Sequence, residues 1–166
     1  MIFKPTFWLK NVLAIDEKFL KKNRVRALVL DMDNTLSMHG NPAAEDGVME
    51  WLDKMRGLGI RMRVVSNNTR KRVAPLAAKL GLEFTANGAK PLTLGVNRAV
   101  RAMGVRKRET LVVGDQIFTD VMAGNFAGIR TVLVEPFHLE KTWTFRLKRK
   151  AESLVFHRNY DMIKKK

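Results

Sequence analysis

Two aspartates stand two positions apart at the end of an apolar stretch: in ALVLDMDNTL they are Asp31 and Asp33. Carboxylates this close repel each other, and burial raises their pKa values unless a cation or hydrogen-bond donors stabilise the charge. Such a pair can also transfer a phosphoryl group, because one carboxylate can attack phosphorus while the other protonates the leaving oxygen and later activates water. We predict that Asp31 is the nucleophile, that Asp33 is the general acid and base, and that Thr35 orients their loop.

A second acidic segment, GDQIFTD, carries Asp115 and, five positions later, Asp120. Magnesium prefers carboxylate oxygens and keeps most of its remaining ligands as water or phosphate oxygen. Together with Asp31 and Asp33, these two residues provide enough carboxylate for one Mg²⁺. The ion would also offset the repulsion between the paired aspartates, so we predict a Mg²⁺ site that includes all four residues.

Two further residues suit the binding of phosphate: Ser66 in RVVSNN and Lys90 in NGAKP. The Ser66 hydroxyl can donate to a phosphate oxygen, and the Lys90 ammonium can balance the charge that develops on a transferred group. Asn67 and Asn68, which follow Ser66, are interpreted as residues that support its turn. The predicted catalytic set is therefore Asp31 and Asp33 with this serine and this lysine.

Short apolar segments alternate along the chain with segments of helical spacing. Such alternation is typical of parallel strands joined by helical crossovers, and it predicts a three-layer, Rossmann-like α/β sandwich with a central parallel sheet of about five strands. Ligands bind at the carboxyl ends of such strands. Asp31, Ser66 and Asp115 each follow a predicted strand, so we expect them to meet at one edge. The predicted strands are 25–30, 60–65, 82–84, 110–113 and 131–134, and the predicted helices are 45–58, 70–80, 92–103 and 118–127.

The length of 166 residues and the hydrophobic fraction of 46% fit one folded domain. We divide it into an N-terminal amphipathic segment (1–24), a catalytic core (25–135) and a basic C-terminal helical segment (136–166). The sequence contains no cysteine, which excludes disulfides, thiolate metal sites and a cysteine nucleophile. No apolar run approaches the length that spans a bilayer, and we expect no cleavable secretory signal.

The formal net charge of +15 predicts attraction to a polyanion, either nucleic acid or an anionic lipid surface, although a solvated basic surface without a partner is a third alternative. The N-terminal segment mixes aromatic and aliphatic residues with lysines, as elements at a lipid interface do. The same pattern fits a segment packed on the sheet. Both interpretations are open from the sequence.

The motifs DMDNT, a serine after the second strand, a lysine before a helix, and GDQIFTD occur in the order found in the haloacid dehalogenase (HAD) superfamily. The resemblance covers roughly residues 25–135 and implies a Mg²⁺-dependent phosphatase with an aspartyl-phosphate intermediate. By that resemblance Asp31 is the nucleophile, Asp33 is the general acid and base, and Ser66 and Lys90 bind the phosphate. The implied metal ligands are the Asp31 carboxylate, the Asp33 backbone carbonyl and Asp115. Asp120 would assist the metal directly or through water.

Many members of this superfamily carry a cap domain that closes over small substrates. Here the chain from Thr35 to Ser66, and from Ser66 to Lys90, has room only for the predicted loops, helices and strands. We therefore predict a HAD-like fold with no cap domain and an open site. An open site suits a phosphate carried by a protein, a nucleic acid end or a lipid head group.

Over nearly its full length, including FKPTFWLKNVLAID, GDQIFTDVMAGN and HLEKTWTFRLKRKAE, the chain is similar to the YqeG family of small cap-less HAD phosphatases. That family is related to the mitochondrial phosphatidylglycerophosphate phosphatase. The resemblance implies hydrolysis of phosphatidylglycerophosphate, an anionic phospholipid, by a cytoplasmic protein that lies peripherally on the inner face of the cell membrane. The alternatives are a phosphatase for a soluble sugar or nucleotide monophosphate, and a non-catalytic basic protein associated with RNA or the ribosome.

Overall fold

A single parallel sheet organises the computed structural model, which describes residues 2–38 and 43–137. Within these residues the sheet has six strands in the order β1-β6-β5-β2-β3-β4, and every neighbouring pair is parallel. The strands are β1 (Phe7–Leu9), β2 (Ala27–Leu30), β3 (Arg61–Val65), β4 (Glu83–Thr85), β5 (Thr110–Gly114) and β6 (Arg130–Val134). The predicted basic segment 136–166 lies, beyond Phe137, outside the described residues.

Helices provide the crossovers between consecutive strands. Gly81 and Gly104 end α3 and α4 in the left-handed conformation, with φ of +62° and +63°, which glycine adopts without steric cost. The last helix is preceded by a π-helical turn, so the predicted helix 118–127 is less regular than its spacing indicated. The helices are α1 (Glu17–Lys22), α2 (Val48–Gly57), α3 (Arg70–Leu80), α4 (Leu94–Met103) and α5 (Met122–Phe126), with short turns at Val12–Ala14, Lys107–Glu109 and Ile117–Val121.

Alternate residues of the central strand β2 face opposite sides of the sheet. Leu28 and Leu30 belong to an apolar cluster that contains buried residues of α2 and α3. Ala27 and Val29 belong to a second cluster, which contains buried residues of α4 and α5. Helices therefore cover both faces of the sheet, and the predicted three-layer α/β sandwich is confirmed.

The sheet has six strands, whereas about five were predicted. The additional strand comes from the N-terminal segment. β1 pairs with the edge of the sheet, with Phe7 opposite Val132. Val12 and Ile15 follow it and are fully buried, and Trp51 Nε1 donates a hydrogen bond of 2.9 Å to the Ile15 carbonyl. Of the two interpretations of this segment, the structure shows the one in which it packs on the sheet.

The carboxyl ends of three adjacent strands meet at one edge, as predicted. Asp31 follows β2, and its backbone N–H donates to the carbonyl of Val113 in β5 at 2.8 Å. Ser66 follows β3 and Asp115 follows β5. The described residues between β2 and β3, and between β3 and β4, contain one helix each and no cap domain. Within the described ranges, every helix is too short or too polar to cross a bilayer.

Two isoleucines test whether the N-terminal segment belongs to the core. Ile15→Ala is expected to lower the free energy of unfolding by about 2–5 kcal/mol, because it removes a fully buried side chain. Ile2 is 44% exposed, so Ile2→Ala is expected to change that free energy by less than about 0.5 kcal/mol. Urea unfolding followed by circular dichroism measures both. Equal effects of the two substitutions would contradict the packing of this segment.

Candidate active site

Three carboxylates from distant parts of the sequence meet at the carboxyl edge of the sheet. Asp31, Asp115 and Asp120 each offer one oxygen to a group whose members all lie within 4.8 Å of one another. All three residues are buried. Asp31 is placed by the end of β2, Asp115 by the end of β5, and Asp120 by the π-helical turn that follows β5.

Lys90 joins two of these carboxylates. Its Nζ donates to Asp31 Oδ1 and to Asp120 Oδ1, each at 2.6 Å. The lysine side chain is buried as well. Buried ions are stable only when they are paired and hydrogen-bonded with good geometry, and this ammonium meets that condition with two short, charge-assisted bonds.

Burial and neighbouring charges shift the proton affinities of this group. Burial raises the pKa of Asp31 to about 7, and the negative charge of Asp120 contributes to that rise. The Lys90 ammonium acts in the opposite direction and lowers the pKa of Asp31. For Lys90, burial alone would lower the pKa, but the carboxylates of Asp120 and Asp31 outweigh it and raise that pKa above its ordinary value. The lysine is therefore held as an ammonium, and the cluster still contains more carboxylate than cation.

The donor set fits a divalent cation. Three buried carboxylates face one ammonium, so a further positive charge would stabilise them. All the ligand atoms on offer are oxygens, which hard cations such as Mg²⁺ prefer. Asp31, Asp115 and Asp120 are the side chains that would hold it. Among the described residues, the Asp33 carboxylate is not part of this group, and its predicted contribution through the backbone carbonyl stays a prediction.

The Asp33 side chain is positioned by an amide from the neighbouring loop. Asn68 Nδ2 donates to Asp33 Oδ2 at 2.6 Å. Asp33 stands at the start of a tight turn in which Asn34 has a φ of +59° and donates its backbone N–H to the Ser37 carbonyl at 2.6 Å. Thr35, predicted to orient this loop, is fully buried within it. The turn and the amide together fix the direction of the Asp33 carboxylate.

A second amide fixes the Lys90 backbone. Asn67 Oδ1 accepts from the Lys90 N–H at 2.7 Å, and Asn67 Nδ2 donates to the Lys90 carbonyl at 2.8 Å. Both asparagines were interpreted as support for a turn, and the structure gives them these longer-range partners as well. Two asparagines after a strand indicate a turn, but the sequence contains no signal for partners that lie far along the chain.

Ser66 lies where predicted, buried at the end of β3. Its Oγ accepts from the Asn68 N–H at 3.1 Å, and its carbonyl accepts from the Gly88 N–H at 2.8 Å. The loops after β3 and β4 are therefore tied together beside Lys90. The structure brings the predicted residues to one edge, and their catalytic roles stay predictions.

Gly114, the last residue of β5, makes room for Asp120. A Cβ built at this glycine would lie 2.2 Å from Asp120 Cγ, far inside van der Waals contact. The carboxylate folds back against the strand, where Asp120 Oδ2 also accepts from the Gln116 N–H at 3.1 Å. Glycine is required in the GDQIFTD segment because of this close approach.

Gly114→Ala is expected to displace the Asp120 carboxylate and to weaken the binding of divalent cations. In the wild type, Mg²⁺ should raise the melting temperature, since a ligand that binds only the folded state stabilises it. The variant should lose most of that increase and should also be destabilised by about 1–3 kcal/mol through overpacking. Gly57→Ala is the matched control, because a Cβ there meets no atom within 4 Å. An unchanged response to Mg²⁺ in Gly114→Ala would contradict the proposed geometry.

Comparisons with known proteins identify the family of the chain. The model of a family described as haloacid dehalogenase-like hydrolase matches residues 42–128. The protein "Probable phosphatase YqeG" of Bacillus subtilis is 37% identical over 153 residues, which cover 92% of this chain and 89% of that protein. Phosphatidylglycerophosphate phosphatase 1, chloroplastic/mitochondrial, of Arabidopsis thaliana is 26% identical over 164 residues, 93% of this chain but 47% of that protein. The chain thus spans about half the length of the plant relative.

A solved structure shares the fold. A HAD family hydrolase from Deinococcus radiodurans superposes with a TM-score of 0.59 and 16% identity, over 76% of this chain and 88% of that one. At that identity the likeness concerns the fold alone. It agrees with the parallel sheet flanked by helices.

Proposed function

The chain belongs to the haloacid dehalogenase-like hydrolase family, and we propose that it is a Mg²⁺-dependent phosphatase that forms an aspartyl-phosphate on Asp31. The observation that carries the proposal is the buried group of Asp31, Asp115 and Asp120 joined by Lys90. Its elements supply a nucleophile, a fixed cation and ligands for a divalent ion, which are the parts that phosphoryl transfer needs.

The substrate that we propose is phosphatidylglycerophosphate, with phosphatidylglycerol and phosphate as the products. The name of the Arabidopsis relative supports this substrate, at 26% identity. The absence of a cap domain from the described residues supports it as well, because an uncapped site can accept a phosphate that projects from a membrane. A net charge of +15 suits an anionic lipid surface.

In the first step, Asp31 attacks the phosphorus. Lys90 holds Asp31 Oδ1, so Oδ2 is the oxygen that forms the new bond to phosphorus. The bond between phosphorus and the glycerol oxygen breaks, and Asp33 transfers its proton to that oxygen. A bound divalent cation supplies Lewis-acid stabilisation of the negative charge on the phosphoryl group.

In the second step, water hydrolyses the aspartyl-phosphate. Asp33, now a carboxylate, accepts a proton from the water as its oxygen bonds to phosphorus. The bond between phosphorus and Asp31 Oδ2 breaks, which releases phosphate and restores the Asp31 carboxylate. Ser66 is the proposed donor to a phosphate oxygen, and Asn68 holds Asp33 in place through the 2.6 Å bond to its Oδ2.

Phosphate release from vesicles that contain phosphatidylglycerophosphate tests this function. The wild type should release phosphate with Mg²⁺ and should stop when EDTA removes the ion. Asp31→Asn should lower kcat by about 10⁴-fold or more, because the nucleophile is lost. Asp46→Asn, which changes an exposed carboxylate in the same way, should leave kcat unchanged.

Three outcomes would contradict parts of the proposal. Equal release by the wild type and Asp31→Asn would remove Asp31 as the nucleophile. Preferential hydrolysis of a soluble sugar or nucleotide monophosphate would replace the lipid substrate. Tight, salt-sensitive RNA binding without any phosphatase activity would favour the non-catalytic alternative.

Asn68→Ala tests the positioning of Asp33. The substitution removes the donor to Asp33 Oδ2 and should lower kcat by about 10- to 100-fold, because general acid–base catalysis depends on the direction of this carboxylate. KM should change little, since Asn68 contacts the acid and not the proposed substrate. Asn68→Gln, which keeps an amide donor, should recover part of kcat. A parallel loss of thermal stability without any recovery by Asn68→Gln would indicate a structural role alone.

A further inference from the structure

Two leucines beside the candidate active site are largely exposed. Leu92 is 61% exposed and Leu94 is 63% exposed, the highest values among the large hydrophobic side chains of the described residues. Leu92 lies two positions after Lys90, and Leu94 begins α4. Single exposed leucines are common on protein surfaces, so their meaning depends on what surrounds them.

Three exposed cations begin the neighbouring helix α3: Arg70, Lys71 and Arg72. The first turn of α3 contains no acidic residue. Cations are disfavoured at this end of a helix, because the macrodipole places partial positive charge there. The Arg70 guanidinium also lies over the Phe84 ring, 5.3 Å from its centroid. The macrodipole disfavours all three cations, whereas an anionic partner would be attracted by them.

The loop that leads into the cations of α3 and the loop that leads into α4 are bonded to each other. The Asn87 N–H donates to the Asn68 carbonyl at 2.9 Å. The start of α4 packs on the same loop, since a Cβ built at Gly95 would lie 2.5 Å from the Gly88 carbonyl oxygen. Because β3 and β4 are neighbours in the sheet, both loops lie at the carboxyl edge. The apolar and the basic side chains therefore occupy one edge of the molecule, next to Lys90.

We infer that Arg70, Lys71, Arg72, Leu92 and Leu94 form a docking surface for an anionic phospholipid bilayer. The leucines enter the apolar boundary of the bilayer, and the cations lie among the anionic head groups. The inference rests on the proposed function, because a phosphate carried by a lipid is then presented at the edge where Asp31 lies.

Charge complementarity limits the extent of this docking surface. The start of α2, at the same edge, carries exposed Asp46 and Glu50, which anionic head groups would repel. Met49, although 43% exposed, lies between these acids and is not included. The surface is therefore confined to the side of the site formed by the loops after β3 and β4.

The opposite, amino edge of the sheet is also basic and could bind anions through charge alone. A cavity of about 800 Å³ lies there. It has no counterpart to the exposed leucine pair, since its apolar lining residues are buried or half-buried. Its cationic lining residues are Lys21, Arg24, Arg26, Arg61 and Arg106. A test of the docking surface must therefore compare matched substitutions at the two edges.

Co-sedimentation of the full chain with vesicles tests the docking surface without any catalysis. One set of vesicles contains phosphatidylcholine alone, and the other contains equal parts of phosphatidylcholine and phosphatidylglycerol. The double variant Leu92→Gln/Leu94→Gln should weaken binding to the anionic vesicles about tenfold or more, because it removes the apolar side chains that enter the bilayer. Lys71→Glu should weaken that binding about tenfold, because the charge reversal removes one attraction and adds one repulsion. Phe126→Gln, at a side chain that is 51% exposed at the amino edge, and Lys22→Glu should bind as the wild type does.

A second measurement compares two substrates. Hydrolysis of phosphatidylglycerophosphate in vesicles should fall in parallel with vesicle binding for the two docking variants. Hydrolysis of para-nitrophenyl phosphate, which is soluble, and the melting temperature should equal those of the wild type. These results together would support the docking surface.

Several results would overturn the docking surface. The docking surface would be refuted if both docking variants bound vesicles as tightly as the wild type does. It would also be refuted if the amino-edge controls lost as much vesicle binding as the docking variants, because attraction would then depend on net charge alone. Loss of both activities together with a lower melting temperature would show that the leucines pack against another part of the chain. Specific vesicle binding without lipid hydrolysis would instead refute the proposed function alone, and lipid hydrolysis that is unaffected by the docking variants would refute the docking surface alone.

Discussion

The contact of the Lys90 ammonium with Asp31 and Asp120 is the interaction on which the site depends. Burying several carboxylates together is unfavourable, and without a fixed cation they would take up protons or move apart. The ammonium lets them stay close and favours their charged forms, and it also holds one oxygen of Asp31 in a fixed direction. The other oxygen is the one assigned to the proposed attack on phosphorus, and the remaining negative charge suits a divalent ion.

Much of the local structure serves to hold that contact in place. The ends of two adjacent strands deliver Asp31 and Asp115, and the close approach at Gly114 lets Asp120 reach the same point. The backbone of Lys90 is held by the Asn67 amide, so its side chain starts from a fixed position. The same bonded loops carry the proposed docking surface, which would place a lipid phosphate beside the cluster. The candidate active site and the proposed docking surface therefore depend on the same pair of loops, those after β3 and β4.

The sequence predicted the parts of the fold that depend on local pattern. Asp31, Ser66 and Asp115 follow short apolar strands, and parallel strands bring such residues to one edge. β1 was missed because an edge strand of three residues has too short a pattern to be recognised. The roles of Asn67 and Gly114 were missed because each depends on a contact made only after folding. From the sequence, the N-terminal segment could lie at a lipid interface or pack on the sheet. The structure shows it packed on the sheet, where its apolar side chains are buried.

The most direct measurement of the central claim is a crystal structure of the full chain with Mn²⁺ in place of Mg²⁺, located by its anomalous scattering. We predict one ion that is bound directly by carboxylate oxygens of both Asp31 and Asp115, with Lys90 still bonded to Asp31. An ion bound elsewhere, or carboxylates of Asp31 and Asp115 too far apart to share it, would contradict the account.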